Sequence, residues 1–419
     1  MSYHTLVISQ CTHDSSIALF RDDELIFFIA SERETRKKHD TEVGLKTLKQ
    51  ITNITKKIDL LILGGLTKNA IIWNNVLKSN GCIIDKIVDL PPERPVHFFD
   101  KQNVMQFSHH DIHAISGFYM SDFNEAICLV IDGMGSTSIV TNAKKSAAIS
   151  LFETTSIIEI SENYSLTNLY KQFFNFPLLS KENDYGYYSS TYGGISSDNL
   201  KRSLKKDYPD VTVDISNHFD IGQIYGSVTR FLSFDENGCG KTMGLSGYGN
   251  PENKLPKILI GDTCITDNNL LKLNREIDCK VYPELESQIS EQQKADFAFN
   301  VQRALEKIFL KHAEFIYKKS KIRNLVISGG CALNILGISA IKRSFPEFNI
   351  FVDPIAMDAT QAIGTGIHLY NHIRRQQGSI KKETKFNSIY LGPEYNLETT
   401  ESKIRSFIRE NDASNLKPI

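Results

Sequence analysis

The chain has no Cys-x-x-Cys pair, no Walker G-x-x-x-x-G-K-[ST] loop, no bilayer-length apolar run and almost no net charge. Each absence closes off a class. The seven cysteines (Cys11, Cys82, Cys128, Cys239, Cys264, Cys279 and Cys331) are odd in number and scattered. That argues against a disulfide framework or a cysteine zinc site, and for a reducing cytoplasm. Apolar runs such as Ala126–Ile131 are too short to span a membrane. The start, Met1-Ser2-Tyr3-His4-Thr5, lacks a basic segment leading into an apolar one, so no export signal is expected. A formal charge of −1 suggests no nucleic-acid partner. Basic runs such as Arg36-Lys37-Lys38 and Lys205-Lys206 read as solvated faces. What is left, at 419 residues with 41% hydrophobic and 23% charged, is a soluble globular protein. It is too long for one ordinary core, so two lobes are expected.

Leu6–Ser9, Ser16–Phe20 and Leu25–Ala30 read as strands, the last two joined by the polar loop Arg21-Asp22-Asp23-Glu24. Such short connections predict an antiparallel meander. A helix over Val43–Thr52 and a strand at Leu60–Leu63 follow. Meander, helix, strand, helix is the order of the ribonuclease-H-like core of actin, sugar kinases and heat-shock chaperone ATPases. In that superfamily the α/β core is duplicated and ligands lie in the cleft between the halves. A second round is predicted from the strand Ala126–Ile131, with Ala148–Phe152 and Ile157–Ile160 completing another meander. Helices are expected at 219–233 and 291–318. Leu325–Ile327 with Gly329-Gly330 and a helix over Ala332–Ile341 forms a strand–turn–helix unit, and Ile350–Val352 with Asp358–Tyr370 repeats it. The polar stretch from Asn175 to Asn217 reads as an insertion or lid over the cleft. Gln376–Lys385 reads as a linker.

His109 and His113 stand one helical turn apart and share a face, so both imidazoles can reach one ion. His110 competes for the role, being three residues from His113. Asp132 ends an apolar strand, where an unpaired carboxylate is costly to bury, and Asp358 opens a helix after another strand. Two histidines and two aspartates suit iron, manganese or zinc rather than calcium. The plain alternative is a polar helix face. Three glycine-rich turns, Asp132-Gly133-Met134-Gly135, the run Gly240-Lys241-Thr242-Met243-Gly244, and Gly329-Gly330-Cys331-Ala332-Leu333-Asn334, can each cradle a phosphate or simply turn the chain. Together they favour a nucleotide. His13, in Cys11-Thr12-His13-Asp14-Ser15-Ser16, is placed to act as a general base or a donor to a carbonyl. Its segment can equally be a turn capped by Asp14 and Ser15.

Taken in order, the segments Thr12–Leu19, Ser31–Asp40, His109–Ala114, Ile131–Gly135, Gly240–Gly249, Ser328–Asn334 and Tyr390–Pro393 resemble the NodU/CmcH/TobZ-type O-carbamoyltransferases. The resemblance runs from about residue 5 to 396. It implies an actin-like N-terminal domain over 1–384, ahead of a YrdC-like domain of which 385–419 is a linker and stub. In that family the second domain makes carbamoyladenylate from carbamoyl phosphate and ATP, and the first passes the carbamoyl group to an acceptor hydroxyl on an antibiotic, sugar or nodulation factor. By motif, His109, His113, Asp132 and Asp358 are then the metal ligands, with iron the expected ion. His13 is the catalytic residue beside the reacting carbonyl, and Lys241, Gly244, Gly329, Gly330 and Asn334 surround the adenylate. There are departures. Ile338 stands where the family has asparagine, Thr360 where it has glycine, and Cys239 where it has glutamate. The family's Gly-Pro-Arg-Ala-Leu-Gly segment is missing, so the expectation is a chain that uses carbamoyladenylate without making it, with a separate YrdC-like subunit as a candidate partner. The rivals are a non-catalytic nucleotide-binding partner, and an actin-fold ATPase or kinase, which the His-His-Asp set disfavours.

Overall fold

The computed structural model describes residues 2–10, 13–65, 70–90, 108–133, 135–141, 148–176, 191–192, 195–216, 221–235, 237–253, 258–260, 263–265, 289–376, 388–389 and 396–410. The first sheet is built from β1 (His4–Gln10), β2 (Ser16–Arg21), β3 (Glu24–Ala30), β4 (Lys57–Gly65) and β5 (Ile83–Leu90). Its strand order is β3-β2-β1-β4-β5. The first three strands run antiparallel, and β1, β4 and β5 run parallel. The near-continuous apolar runs of β1 and β4 are buried at Leu6–Ile8 and Leu60–Leu63, as strands covered on both faces must be.

The second sheet repeats this plan. It contains β6 (Ala126–Ile131), β7 (Thr137–Thr141), β8 (Ala148–Ile160) and β9 (Leu166–Phe176), then β12 (Thr212–Ser216), β15 (Asn324–Ser328) and β16 (Asn349–Val352). Two small hairpins lie outside it, β10 (Thr191–Tyr192) with β11 (Ile195–Ser196), and β13 (Ile258–Ile260) with β14 (Thr263–Ile265). The sheet order is β12-β9-β8-β6-β15-β16, with β7 on β8. Setting aside β12 and β7, that is again third-second-first-fourth-fifth, with the same parallel and antiparallel pairings. The protein is therefore a mixed α/β molecule with a duplicated ribonuclease-H-like core.

Three expectations need correcting. Ala148–Phe152 and Ile157–Ile160 are not two strands but parts of one, β8, and β9 completes the second meander. The polar run Glu153–Ser156 between them stays in the sheet with a register shift and is buried. The stretch read as an irregular lid holds a helix, Ser197–Asp207, and the edge strand β12. Leu200 and Leu204 pack with Val213, Ile215, Leu151 and Phe173. The rest of that stretch, 177–190, 193–194 and 217, lies outside the described residues, as do most of the proposed linker and Tyr390–Pro393. Finally, the Ala332–Ile341 helix is a 3-10 turn, Gly330–Leu333, followed by the helix Ile335–Ser344.

The helix His109–Met120 lies at the seam of the two halves. Ala114, Ile115 and Phe118 share one core with Val7, Phe20, Leu60 and Ile62 of the first sheet and Cys128, Val130 and Val326 of the second. The helix Gln361–Gln376 joins the same core through Ile363 and Ile367. The two helices touch backbone to side: a Cβ at Gly364 would run into the Ile112 carbonyl. No helix among the described residues is long and apolar enough to cross a membrane.

Candidate metal centre

A capping box starts the histidine helix. Ser108 Oγ accepts from the Asp111 N–H (3.2 Å), and Asp111 Oδ2 accepts from the Ser108 N–H (2.8 Å). Two otherwise orphaned donors are satisfied, which pins the first turn. That turn carries His109, and His113 follows above it on the same face. Asp132 comes one residue after β6, and Asp358 lies in a 3-10 turn, Asp358–Thr360, beyond β16. β6, β15 and β16 are parallel neighbours, so the chain leaves all three at one edge, where open α/β sheets bind ligands.

The four side chains meet there. His109 Nε2 is 3.2 Å from Asp132 Oδ2 and 3.2 Å from Asp358 Oδ1. His113 Nε2 is 3.4 Å from Asp358 Oδ1 and 3.1 Å from His109 Nε2. One ligand atom from each residue fits within a 4.8 Å span. Donors bound at ~2.1 Å to a common ion stand roughly 3.0–3.4 Å apart, so the spacing fits a single metal. The charge fits too, since two carboxylates balance a divalent cation when both imidazoles are neutral. Without an ion, burial works against a proton on His109, but Asp358 and Asp132 outweigh it and lift the group well above the ordinary histidine range. Burial likewise opposes charge on Asp132, yet the His109 hydrogen bond draws it down to about 2.

Neighbouring groups orient the four side chains. Ser328 Oγ donates to Asp353 Oδ2 (2.7 Å) and lies 3.3 Å from His113 Nδ1. With its one proton given to Asp353, the serine accepts from Nδ1–H. The bare Nε2 then faces the cluster, the usual support for a ligating histidine. The Gly330 N–H donates to Asp132 Oδ1 (3.2 Å). Gly329 has φ +84°, and a Cβ there would strike the Ile131 carbonyl, so this close turn requires glycine. Sequence reasoning passed over Ser328 and Asp353, although Asp353 follows a strand just as Asp132 does.

The remaining expected residues divide. His110 turns away, with Nδ1 against Ser156 Oγ (2.8 Å), so it is not the competing ligand. His13 reaches the cluster, its Nε2 3.7 Å from Asp358 Oδ2 and its Nδ1 donating to Asp14 Oδ2 at 2.9 Å. That hydrogen bond, against the opposing effect of burial, raises His13 to about 9. Asp14 Oδ1 also holds His39 Nδ1 at 2.7 Å; His39 was not singled out, though it sits in the Ser31–Asp40 segment. Asn334 is buried. Its carboxamide pairs both ways with Gln302 (2.9 and 3.0 Å) and caps the next helix through Gly337 N–H. Lys241 is exposed, with its ammonium 3.2 Å from Asp235 and near the Phe234 ring. Gly244 is exposed with open space around it.

Fold and site together define an actin-like cleft protein with a two-histidine, two-aspartate cluster at its seam. The chain belongs to the family of carbamoyltransferase N-termini, whose model matches residues 72–367. Among curated proteins it is similar to the uncharacterised Synechocystis protein sll1178, at 23% identity over 96% of this chain and 62% of the relative. It is also similar to the uncharacterised protein MJ1058 of Methanocaldococcus jannaschii, at 25% identity over 77% of this chain and 46% of the relative. The chain thus spans less than two thirds of the length of these curated relatives. Among solved structures, HypF of T. kodakarensis aligns at TM-score 0.45 and 12% identity, over 89% of this chain and 48% of that one. The activator of the 2-hydroxyisocaproyl-CoA dehydratase from Clostridium difficile aligns at TM-score 0.41 and 13% identity, over 93% of this chain and 100% of that one.

Proposed function

We infer that this chain is the transferring half of an O-carbamoyltransferase, moving a carbamoyl group from carbamoyladenylate to the hydroxyl of a small-molecule or sugar acceptor. The observation that carries the reading is the convergence of His109, His113, Asp132 and Asp358 in a member of the carbamoyltransferase N-terminus family. Those four residues would hold a divalent ion, iron by resemblance. Bound there, the ion supplies a Lewis acid for the charge that builds on the reacting carbonyl or phosphate.

The chain's own groups do the rest. The acceptor oxygen attacks the carbamoyl carbon, the carbon–oxygen bond to phosphate breaks, and AMP leaves with the hydroxyl proton. His13, held by Asp14 and protonated up to about pH 9, donates a hydrogen bond to the carbonyl oxygen as negative charge grows on it. Gly329 and Gly330 form the close turn beside Asp132, with the Gly330 N–H given to its Oδ1, and are set beside the adenylate phosphate by the resemblance. Lys241, Gly244 and Asn334 are kept as adenylate contacts only in the sense of the resemblance, since Asn334 and Lys241 have other partners here. Carbamoyladenylate would come from a YrdC-like domain, in the same longer protein or as a separate subunit.

The test is release of AMP from carbamoyladenylate, supplied with ferrous ion and a panel of sugars and polyols. The expected result is acceptor-dependent release that Asp132→Asn abolishes while the fold is kept. Equal release by the variant would rule out the assigned role.

A further inference from the structure

Behind the first turn of the histidine helix lies a second ionic cluster that the proposed chemistry does not use. Lys171 of β9 and Glu153 of β8 are completely buried. The Lys171 ammonium donates to Glu153 Oε1, to Ser108 Oγ at 3.3 Å and to Ser156 Oγ at 3.4 Å, and lies 3.8 Å from Asp111 Oδ1. Ser156 Oγ in turn meets His110 Nδ1 at 2.8 Å. Residues 108, 110 and 111 are therefore all tied to one ammonium. His109, between them, points the other way, to Asp132 and Asp358. At 3.6 residues per turn, 108 and 111 share a face and 110 flanks it, so anchoring all three sets the rotation of the helix about its axis.

The same cluster reaches the loop that carries Asp132. The Gly135 N–H donates to the Glu153 carbonyl (2.7 Å), and the Glu153 N–H donates to the Ser136 carbonyl (3.0 Å). Ser136 Oγ then accepts from the His109 N–H at 2.8 Å. A Cβ at Gly135 would lie 2.7 Å from His110 Nε2 and 3.1 Å from Glu153 Cβ. Only glycine lets the loop close this tightly over the cluster.

The arrangement is poorly suited to stability alone. Two carboxylates surround one ammonium, and Asp111 Oδ1, Glu153 Oε2 and His110 Nε2 find no hydrogen-bond partner among the described residues. Apolar side chains of the same volume commonly serve stability as well as a buried ionic cluster does. What such side chains cannot do is bind a helix turn and a loop at fixed directions. We propose that Lys171 is a positioning residue for the metal centre, setting through Ser108, Asp111 and the Ser156–His110 pair the direction in which the helix presents His109. The inference rests on the reading of His109, His113, Asp132 and Asp358 as metal ligands.

The experiment titrates Co²⁺, a probe with a visible ligand-field spectrum, into the full chain, with folding followed separately by circular dichroism and thermal melts. Lys171→Met should keep its fold but bind Co²⁺ ~10–100-fold more weakly, with an altered spectrum, and Lys171→Arg should recover part of the affinity. If Lys171→Met fails to fold, the neutral cluster Lys171→Met/Glu153→Gln/Asp111→Asn, which leaves no unpaired buried charge, takes its place and should show the same weakening. Wild-type affinity and spectrum in whichever variant folds would overturn the proposal, whatever its melting temperature. If the wild-type chain itself takes up no Co²⁺, the metal reading fails, and this inference falls with it.

Discussion

His109 and His110 are neighbours in sequence, yet their surroundings drive them in opposite directions. On the cleft side, Asp358 and Asp132 overcome burial and hold a proton on His109. On the core side, burial dominates at His110 and keeps it neutral, well below the ordinary range. The cleft cluster sets two carboxylates against histidines, which can give up their protons to admit a metal ion, whereas the core cluster has a fixed ammonium, Lys171. The contrast teaches how to separate a candidate ligand site from a structural one. Charge balanced within the chain is internal support, and charge left for a visitor marks a site.

Removing a cleft carboxylate should have the largest effect. Asp358→Asn is expected to lower carbamoyl transfer by ~1,000-fold or more, as loss of a main electrostatic element does, with little change in melting temperature; AMP release measures the first and calorimetry the second. A large loss of stability with transfer retained would erase the distinction between the two sides. One step further out, Ser328→Ala leaves His113 in place but frees its Nδ1. Metal affinity should fall ~10–100-fold, read by competition with a chromogenic chelator.

Away from both clusters a change to a buried polar group should cost stability only. Asn334→Ala removes a helix cap and strips Gln302 of its partner, for a loss of about 2 kcal/mol by denaturant unfolding, with metal affinity unchanged. If nucleotide affinity fell while stability held, Asn334 would belong to the cleft instead. The effect that is smallest at neutral pH concerns His312, another buried neutral histidine, which burial lowers to about 3. The unfolded chain takes up this proton below pH 6.5 and the folded chain does not, so stability is lost as pH falls from 6.5 towards 3. The slope is about 1.4 kcal/mol per pH unit. His312→Leu should flatten that part of the pH–stability curve; an unchanged slope would mean that the ring finds a partner when protonated.

Much of the cleft side was legible in the sequence. An i, i+4 histidine pair and carboxylates at the ends of apolar strands are local patterns, and local geometry alone aims them. The duplicated core was legible as well, because tight loops force the first meander and the second half reuses the same order of elements. The core side was not. Glu153-Thr154-Thr155-Ser156 interrupts an apolar stretch and looks like a turn. It remains in β8 because Lys171, 18 residues on and in the next strand, neutralises Glu153 inside the sheet. Such a pairing depends on register, which no local pattern records. Asn334 misled for a similar reason. Its glycine-rich setting suggests a phosphate, while its partner, Gln302, lies on a helix 32 residues earlier.

On the reading proposed above, the two histidines and two aspartates form one metal site. Anaerobic dialysis against ferrous ion followed by elemental analysis tests it most directly. The wild-type chain should hold about one iron, and the folded Asp132→Asn/Asp358→Asn double variant none. An iron-free wild type, or iron retained by the double variant, would contradict it.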